Sequence, residues 1–286
     1  MTYAEWYTKY LVLYRDEIAE KTRESYDHCY TAYIAPYLAA VELEAITPDD
    51  LQAVINGVKK RAGTRQAQIV YAQLHGCLSR AARSRHIPFN AADCIDKPKH
   101  TKEPGRPLGR RDMAALLPYI RGDIGFALAA FAGLRRGEIL GLQRRDVDLL
   151  AGTITVERQR IRVKGRIITT TPKSDAGKRT VPISRELFPL IRQTCRLLAP
   201  NALLYPVAPE TLDRRWKRAQ TLASIKRPYR LHDLRHTFAT ELVKQGINLK
   251  ALQYLMGHST FQLTVDTYTH MDDDAAAQEY ARLQAL

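Results

Sequence analysis

Apolar and aromatic residues recur at helical spacing through "YAEWYTKYLVLYRDEI", from Tyr3 onward, and the same 3.6-residue rhythm returns in three further stretches before residue 96. Thr22 offers an N-cap for a second helix over "RESYDHCYTAYIAPYL". Thr47 offers another, followed by Pro48 at the first helical position and by Asp49 and Asp50 in the first turn, all strong start signals. A longer pattern from Thr64 to about Arg85 completes a small all-α unit over residues 1–96.

The rhythm then stops. "KPKHTKEPGRPLGRR", 97 to 111, holds three prolines, two glycines and six Lys or Arg against one Glu, and 97–110 reads as a linker. Its charge suggests that Lys97, Lys99, Lys102, Arg106, Arg110 and Arg111 lie along phosphates; a solvated hinge fits the same composition. Helices are predicted from Arg111 to Ile120 and, fully buried, from about Asp123 to Ala132. The period shortens to two in "GTITVERQRIRVKGRIITTTPKSDAGKRTVPI", which predicts a three-stranded antiparallel sheet around "KG" and "DAGK" turns. Helical spacing resumes at about 184–198, 209–223, 232–245 and 248–256, with a final helix from Asp274 to Leu286. The pattern is mainly α with a small antiparallel β-sheet, an α+β chain without internal repeats.

Charge changes this picture. Among 286 residues, 44 Lys and Arg stand against 30 Asp and Glu, giving a net charge of +14 and a pI near 9.7. Residues 1–100 hold 13 basic and 12 acidic groups, so nearly all of the excess belongs to the rest. A polyanionic partner is the reading this favours over basic surface kept for solubility. Cys29, Cys77, Cys94 and Cys195 form no C-x-x-C pair, as expected of reduced thiols in a cytoplasmic protein. The N-terminus lacks an apolar signal core, and the longest apolar run, from Ile124, is too short to span a bilayer, so no membrane partner is expected.

Candidate chemistry begins at "HDLRH", 232 to 236, whose two histidines four apart share one helical face. Zinc would need a third ligand, which His258 in "MGHST" could supply. Arg235 speaks against it, because a guanidinium one turn from a dication has no surplus of carboxylates to offset the repulsion. An anion suits the stretch better. His232, Arg235 and His236 form a donor face, while Leu234, Phe238 and Leu242 form an apolar stripe able to anchor the helix.

The company of this helix narrows the reading: "AGLRRGEILGL" with Arg135 and Glu138, "TPKSDAGKR" with Lys173, "LHDLRHTFAT", "LMGHST", and "VDTYTH" with Tyr268, in that order. In type, order and spacing the set closely resembles the catalytic domain of the tyrosine recombinases, the phage integrase family, over about residues 108–271. The helical unit before it is similar to that family's SAM-like core-binding domain. The resemblance implies a catalytic domain at 111–271. In the tail 272–286, three acids that can cap a helix and Tyr280 and Leu283 on one face suggest docking on a neighbouring subunit, with a free tail as the alternative.

The resemblance also implies roles. Tyr268 would attack a DNA phosphodiester, forming a 3′-phosphotyrosyl link and freeing a 5′-hydroxyl. Arg135 and Arg235 would clamp the non-bridging oxygens, Lys173 would protonate the leaving oxygen, and His232 and His258 would bind the phosphate and manage the tyrosine proton. Glu138 would orient Arg135. General chemistry agrees, since phosphoryl transfer asks for positioning and positive charge, and a tyrosine with a pKa near 10 needs somewhere for its proton to go.

The implied protein is a site-specific recombinase of a mobile element. It acts on double-stranded recombination sites as a tetramer through a Holliday junction, with accessory directionality or DNA-bending proteins as further partners and with no metal or other cofactor. A nucleoid-associated cytoplasmic location follows. A type IB topoisomerase-like relaxing enzyme and a non-enzymatic basic DNA-binding regulator are the competing readings. Many phage-type members carry a further N-terminal domain that binds arm sites, and this chain begins almost at the core-binding helices; a two-domain recombinase and a chain lacking that domain both fit.

Overall fold

The first helix begins where a capping box closes: the Thr2 hydroxyl accepts the Glu5 N–H and the Glu5 carboxylate accepts the Thr2 N–H. From there α1 (Tyr3–Tyr14) turns Tyr3, Trp6, Tyr7 and Tyr10 inward at i, i+3, i+4 and i+7, which is why an element so rich in aromatics is helical. The computed structural model describes residues 1–15, 18–99, 105–172 and 175–261 of the chain. They fall into two units, Met1–Glu103 and Pro104–Leu286, so the division lies within the stretch expected to be a linker. The expected helix from Asp274 and the tail 272–286 lie outside the described residues.

In the first unit α2 spans Glu20–Cys29, one turn earlier than the Thr22 cap suggested. The Thr22 N–H instead donates to the Ala19 carbonyl, and Glu20 takes the first turn, where an acid favours the helix dipole. Nor does this helix run on unbroken. A π-helical turn at Tyr30–Ile34 precedes α3 (Ala35–Leu38), and Pro36, which has no N–H to donate, sits in the first turn of α3. The Thr47 cap holds: its hydroxyl accepts the Asp50 N–H at the head of α4 (Pro48–Arg83), whose backbone breaks at Gly63. Trp6, Leu51, Leu74 and Leu78 meet at the centre of the unit, with the Trp6 indole N–H donating to the Cys77 carbonyl.

The second unit opens with α5 (Arg110–Gly122) and α6 (Ile124–Phe131), the latter capped by Asp123, whose carboxylate accepts the Gly125 N–H. Next comes the short α7 (Arg136–Gly141). The β region departs from the single sheet expected. Strands β1 (Val147–Asp148) and β2 (Thr153–Val156) join a later strand, while β3 (Gln159–Val163) and β4 (Arg166–Thr170) form a separate two-stranded hairpin. That later strand is β5 (Arg179–Pro182), antiparallel to β2 with Ile154 opposite Val181.

The reason lies at Arg158. Its guanidinium turns to Asp146 and Glu157, ending β2, and the chain then passes α7 so closely that a β-carbon on Gly141 would stand 3.0 Å from the Gln159 Cα.

Helices α8 (Phe188–Cys195), α9 (Pro209–Leu222), α10 (Leu231–Lys244) and α11 (Leu249–Met256) complete the described part. Leu128, Trp216 and Leu234 belong to the main core, and Phe238 and Leu242 pack on a smaller cluster of Ala239, Leu252 and Met256 that joins α10 to α11. The expected apolar stripe of α10 thus serves two neighbouring cores. Among the described residues no helix is long and apolar enough to cross a membrane.

Each unit holds one of the two tryptophans in its core, so each has its own fluorescent reporter. Thr47→Ala, made with Trp216→Phe so that only Trp6 emits, removes the cap of α4 and is expected to lower the stability of the first unit by about 1 kcal/mol. A urea titration of Trp6 emission checks this, and an unmoved midpoint contradicts it.

Candidate active site

Helix α11 ends as the left-handed Gly257 turns the chain away at φ +57, a conformation that favours glycine. Space excludes other residues too: a β-carbon there would stand 2.9 Å from both the Ala176 carbonyl and Arg179 Nη1. The last carbonyls of a helix have no partner inside it, and here three in succession face arginines. Arg179 Nε donates to Leu255 O at 2.7 Å, Arg235 Nη2 donates to Met256 O, and Arg135 Nη2 donates to Gly257 O at 2.7 Å.

These arginines come from three elements. Arg135 is the N-cap residue of α7, Arg179 is the first residue of β5, and Arg235 lies in the second turn of α10, where its Nη1 also donates to the Gly133 carbonyl at 2.5 Å. One carboxylate serves two of them. Glu138, at the third position of α7, accepts the Arg135 N–H at 2.9 Å and Arg135 Nη1 at 2.7 Å, closing the start of the helix. It also accepts Arg179 Nη2 at 2.9 Å and Nη1 at 3.1 Å, a two-pronged pairing that only a planar guanidinium can make.

Exposure separates the three cations. The Arg179 and Arg235 residues are buried, whereas the Arg135 side chain remains 35% accessible and fronts the solvent. Arg235 was expected on an open donor face; the Gly133 and Met256 carbonyls draw it inward instead. Burial pushes the Glu138 carboxyl up, but the Arg179 hydrogen bonds and the charges of Arg179, Arg135 and Arg235 outweigh it and hold the acid down at about 2. Three guanidiniums around one carboxylate leave an excess of positive charge. The negative end of the α11 dipole offsets only part of it.

The histidines stand at the edge of this cluster. His258 follows Gly257, with its N–H on the Gln253 carbonyl; burial first, then the charges of Arg235 and Arg135, pull its imidazole down to about 4. His232, at the start of α10, faces His236 edge-on with 4.8 Å between ring centroids. Burial, His236, Arg235 and Arg135 lower its pKa as well, and because the residue as a whole stays exposed, water screens part of that pull. Both rings are therefore neutral near pH 7 and able to accept a proton. Asp233 is engaged with Arg230, its carboxylate accepting the Arg230 N–H at 2.7 Å as a cap of α10. Among the described residues no group of three His, Cys, Asp or Glu side chains is placed to hold a metal ion.

Arg135, Glu138, His232, Arg235 and His258 are thus brought together, while Lys173 and Tyr268 lie outside the described residues, as does Lys102. Of the linker residues, Lys97 and Lys99 are exposed in the first unit, and Arg110 and Arg111 are exposed at the start of α5. Arg106 is already engaged, its guanidinium stacked 3.8 Å over the Tyr229 ring and donating to the Arg227 carbonyl at 2.6 Å. Beside it the backbone lies against α10, where Leu108 N–H donates to Thr237 Oγ1 and a β-carbon on Gly105 would stand 2.3 Å from the His236 ring.

Arg179 was not singled out in the sequence. Its one signal was position, since it shares the inward phase of β5 with Val181.

With this geometry in view, comparison with known proteins places the chain. The pattern of the "Phage integrase family" matches residues 111–275, and that of the "Phage integrase, N-terminal SAM-like domain" matches 2–58. A "Tyrosine recombinase XerC-like" protein of Caldanaerobacter subterraneus subsp. tengcongensis is 32% identical over 176 residues, covering 51% of this chain and 44% of the relative. The chain spans about half the length of the curated relatives it matches.

Among solved structures, the Tn1549 transposon integrase in complex with a circular intermediate DNA superposes with a TM-score of 0.85 at 23% identity, covering 99% of each chain. A lambda integrase tetramer bound to a Holliday junction superposes with a TM-score of 0.70 at 19% identity, covering 96% of this chain and 80% of that one.

The depressed pKa values of His258, His232 and Glu138 fix an acid response. A histidine held neutral in the folded state contributes stability above its ordinary value of 6.5, and this is lost as the pH falls through about 4, because the unfolded chain binds the proton that the folded site refuses. Glu138 behaves likewise between 4.5 and about 2. Chemical-denaturation midpoints of the second unit, read from Trp216, are expected to fall as the pH drops below about 6.5. His258→Asn is expected to make the decline above pH 4 shallower, leaving the share of His232 there and the part below it. An unchanged slope in that variant contradicts the assignment.

Proposed function

The chain belongs to the phage integrase family, and from that premise we propose that it is a site-specific DNA recombinase that cleaves and rejoins strands through a covalent phosphotyrosine. What carries the reading is the arginine cluster: Arg135 and Arg179 share one buried carboxylate, Arg235 is held beside them by the Gly133 and Met256 carbonyls, and Arg135 is turned toward solvent. Such a site is built for an anion. Two guanidiniums among backbone carbonyls keep N–H donors in fixed directions, and a phosphodiester offers the two non-bridging oxygens they can clamp.

In the proposed reaction the Tyr268 hydroxyl oxygen attacks phosphorus, its proton passing to a neutral imidazole of His232 or His258. The P–O5′ bond breaks, Lys173 gives a proton to the departing oxygen, and a 3′-phosphotyrosine and a free 5′-hydroxyl result. A 5′-hydroxyl of a partner strand reverses the step, restoring the phosphodiester and the tyrosine. Bond energy is conserved throughout, so no nucleotide is consumed. Residues 1–96 supply the core-binding domain, and Lys97, Lys99, Lys102, Arg106, Arg110 and Arg111 supply phosphate contacts. Two paired DNA sites and four subunits complete the assembly, with the tail docking between neighbours and DNA-bending proteins as accessories.

The test uses the duplex that the chain selects from a random-sequence pool, nicked just downstream of the cleavage point so that the product is trapped. The chain is expected to migrate with this DNA on a denaturing gel, in excess EDTA as well as without it. Tyr268→Phe is expected to bind equally and form no adduct; an adduct in that variant refutes the assignment.

Lys173 is tested by changing the substrate. A 5′-thiolate leaves unaided, whereas a 5′-oxygen needs the acid. Lys173→Ala should cleave normal DNA far more slowly than the parent chain and recover most of its rate on DNA with a 5′-bridging sulfur, and Arg135→Ala should not recover. Equal rescue of both variants, or of neither, rules out Lys173 as the acid.

A further inference from the structure

We propose that Arg179 is a positioning residue for this reaction, setting Arg135 on the phosphate by gripping both oxygens of the Glu138 carboxylate that Arg135 also binds. The inference rests on the recombinase reading and names a residue to which that reading gives no part.

The geometry is specific. Arg179 is fully buried, and each of its three guanidinium nitrogens has an acceptor: Nε on Leu255 O, Nη1 on Gly177 O and Glu138 Oε1, Nη2 on Glu138 Oε2. No side of it reaches the cleft, so it does not itself touch substrate. Glu138 divides its oxygens between two arginines: Oε1 accepts Arg135 Nη1 and Arg179 Nη1, and Oε2 accepts the Arg135 N–H and Arg179 Nη2. The carboxylate plane, and with it the direction of the Arg135 fork, is therefore fixed by Arg179.

The same side chain joins three segments that carry reacting groups. Gly177 lies in the 3-10 turn four residues after Lys173, Leu255 lies three residues before His258, and Glu138 lies three after Arg135. A guanidinium with five N–H donors in one plane can hold these at once. A lysine, with a single nitrogen, cannot reach the fork of the carboxylate and both carbonyls.

Loss of this cation also changes the charge on Glu138. The charged groups facing Glu138 are Arg135 at the cap of its own helix, Arg179 on β5 and Arg235 on α10. Without Arg179, burial still opposes the carboxylate while its strongest counter-charge is gone, so its pKa rises from about 2. A protonated Glu138 gives one of its oxygens to a proton and releases its hold on Arg135. A role confined to stability lowers the fraction folded and predicts no such new titration in the reaction itself.

The test is single-turnover cleavage of the trapped duplex described above by the full chain, from pH 5 to 8, with DNA affinity and Trp216 emission recorded at each pH. Arg179→Gln is expected to bind DNA as the parent chain does and to cleave on the order of 10- to 100-fold more slowly. Its rate relative to the parent should fall further toward pH 5, an acid loss added to any that protonation of His232 or His258 gives the parent.

Combined with Glu138→Gln, Arg179→Gln should lower the rate by less than it does alone and should show no added acid loss, because both act through one carboxylate. Arg179→Lys keeps the charge but not the fork, and should cleave more slowly than the parent with no added acid loss; it decides the matter should Arg179→Gln not fold.

Folded Arg179 variants that cleave at the parent rate overturn the inference and leave the recombinase reading standing. So does a reduction that multiplies with that of Glu138→Gln unchanged. A parent chain that forms no adduct overturns the reading and the inference together.

Discussion

The candidate site depends on how one helix ends. Leu255, Met256 and Gly257 present successive carbonyls that α11 cannot use, at the end where the helix dipole is negative, and each meets a different guanidinium. Hydrogen bonds to a charged group contribute roughly 1.5–3 kcal/mol each, so three of them form a substantial tie between α11 and the elements that carry the arginines. Burying guanidiniums is expensive unless they are paired, and Glu138 pairs with only two. The cluster is therefore stable without an anion and still electrostatically incomplete, a combination that suits a site meant to bind a phosphate and let it go.

Each side chain in this arrangement is aimed by the element that carries it, although its partners are distant in the chain. Glu138 reaches Arg135 because a cap and the third helical residue face each other across one turn, a distance fixed by helix geometry. Arg179 reaches the same carboxylate because the alternation of β5 points it inward in phase with Val181, and β5 holds its register through β2. Gly257 lets the chain leave α11 without a side chain that would strike Arg179. The stretch from Gly105 to Leu108 lies against α10 at His236 and Thr237, so the end of the expected linker belongs to the second unit and borders the site.

Much of this was legible beforehand, and the exceptions share a cause. Helical periodicity identified α9, α10 and α11 to within a residue or two and the start of α1, though not its end at Tyr14, and Thr47 with Pro48 marked the start of α4, because caps and amphipathic faces act over one turn. Thr22 misled because an acid at Glu20 and the Ala19 carbonyl began the helix earlier. The split of the β region turns on Arg158 pairing with Asp146, a contact across twelve residues that no local period encodes. Arg179 and Arg235 are the clearest cases. An arginine is presumed to be exposed, and only the three-dimensional placement of Glu138 and the carbonyls of α11 reverses that presumption.

The same cluster bears on the direction of proton flow. With no anion bound, the arginines and burial keep His258 neutral, so it can accept a proton but resists holding one. On the proposed reading, a phosphodiester seated at Arg135 brings a negative charge to the cations that help depress the imidazole. A negative charge there raises the proton affinity of His258 as the substrate arrives. On the proposed reading the tyrosine is thus activated by the phosphate it attacks, whereas an unoccupied site leaves the phenol protonated and inert. On that reading the imidazoles beside the guanidiniums set a proton acceptor next to the donors that hold the anion, which is what transfer of the tyrosine proton during attack on phosphorus requires.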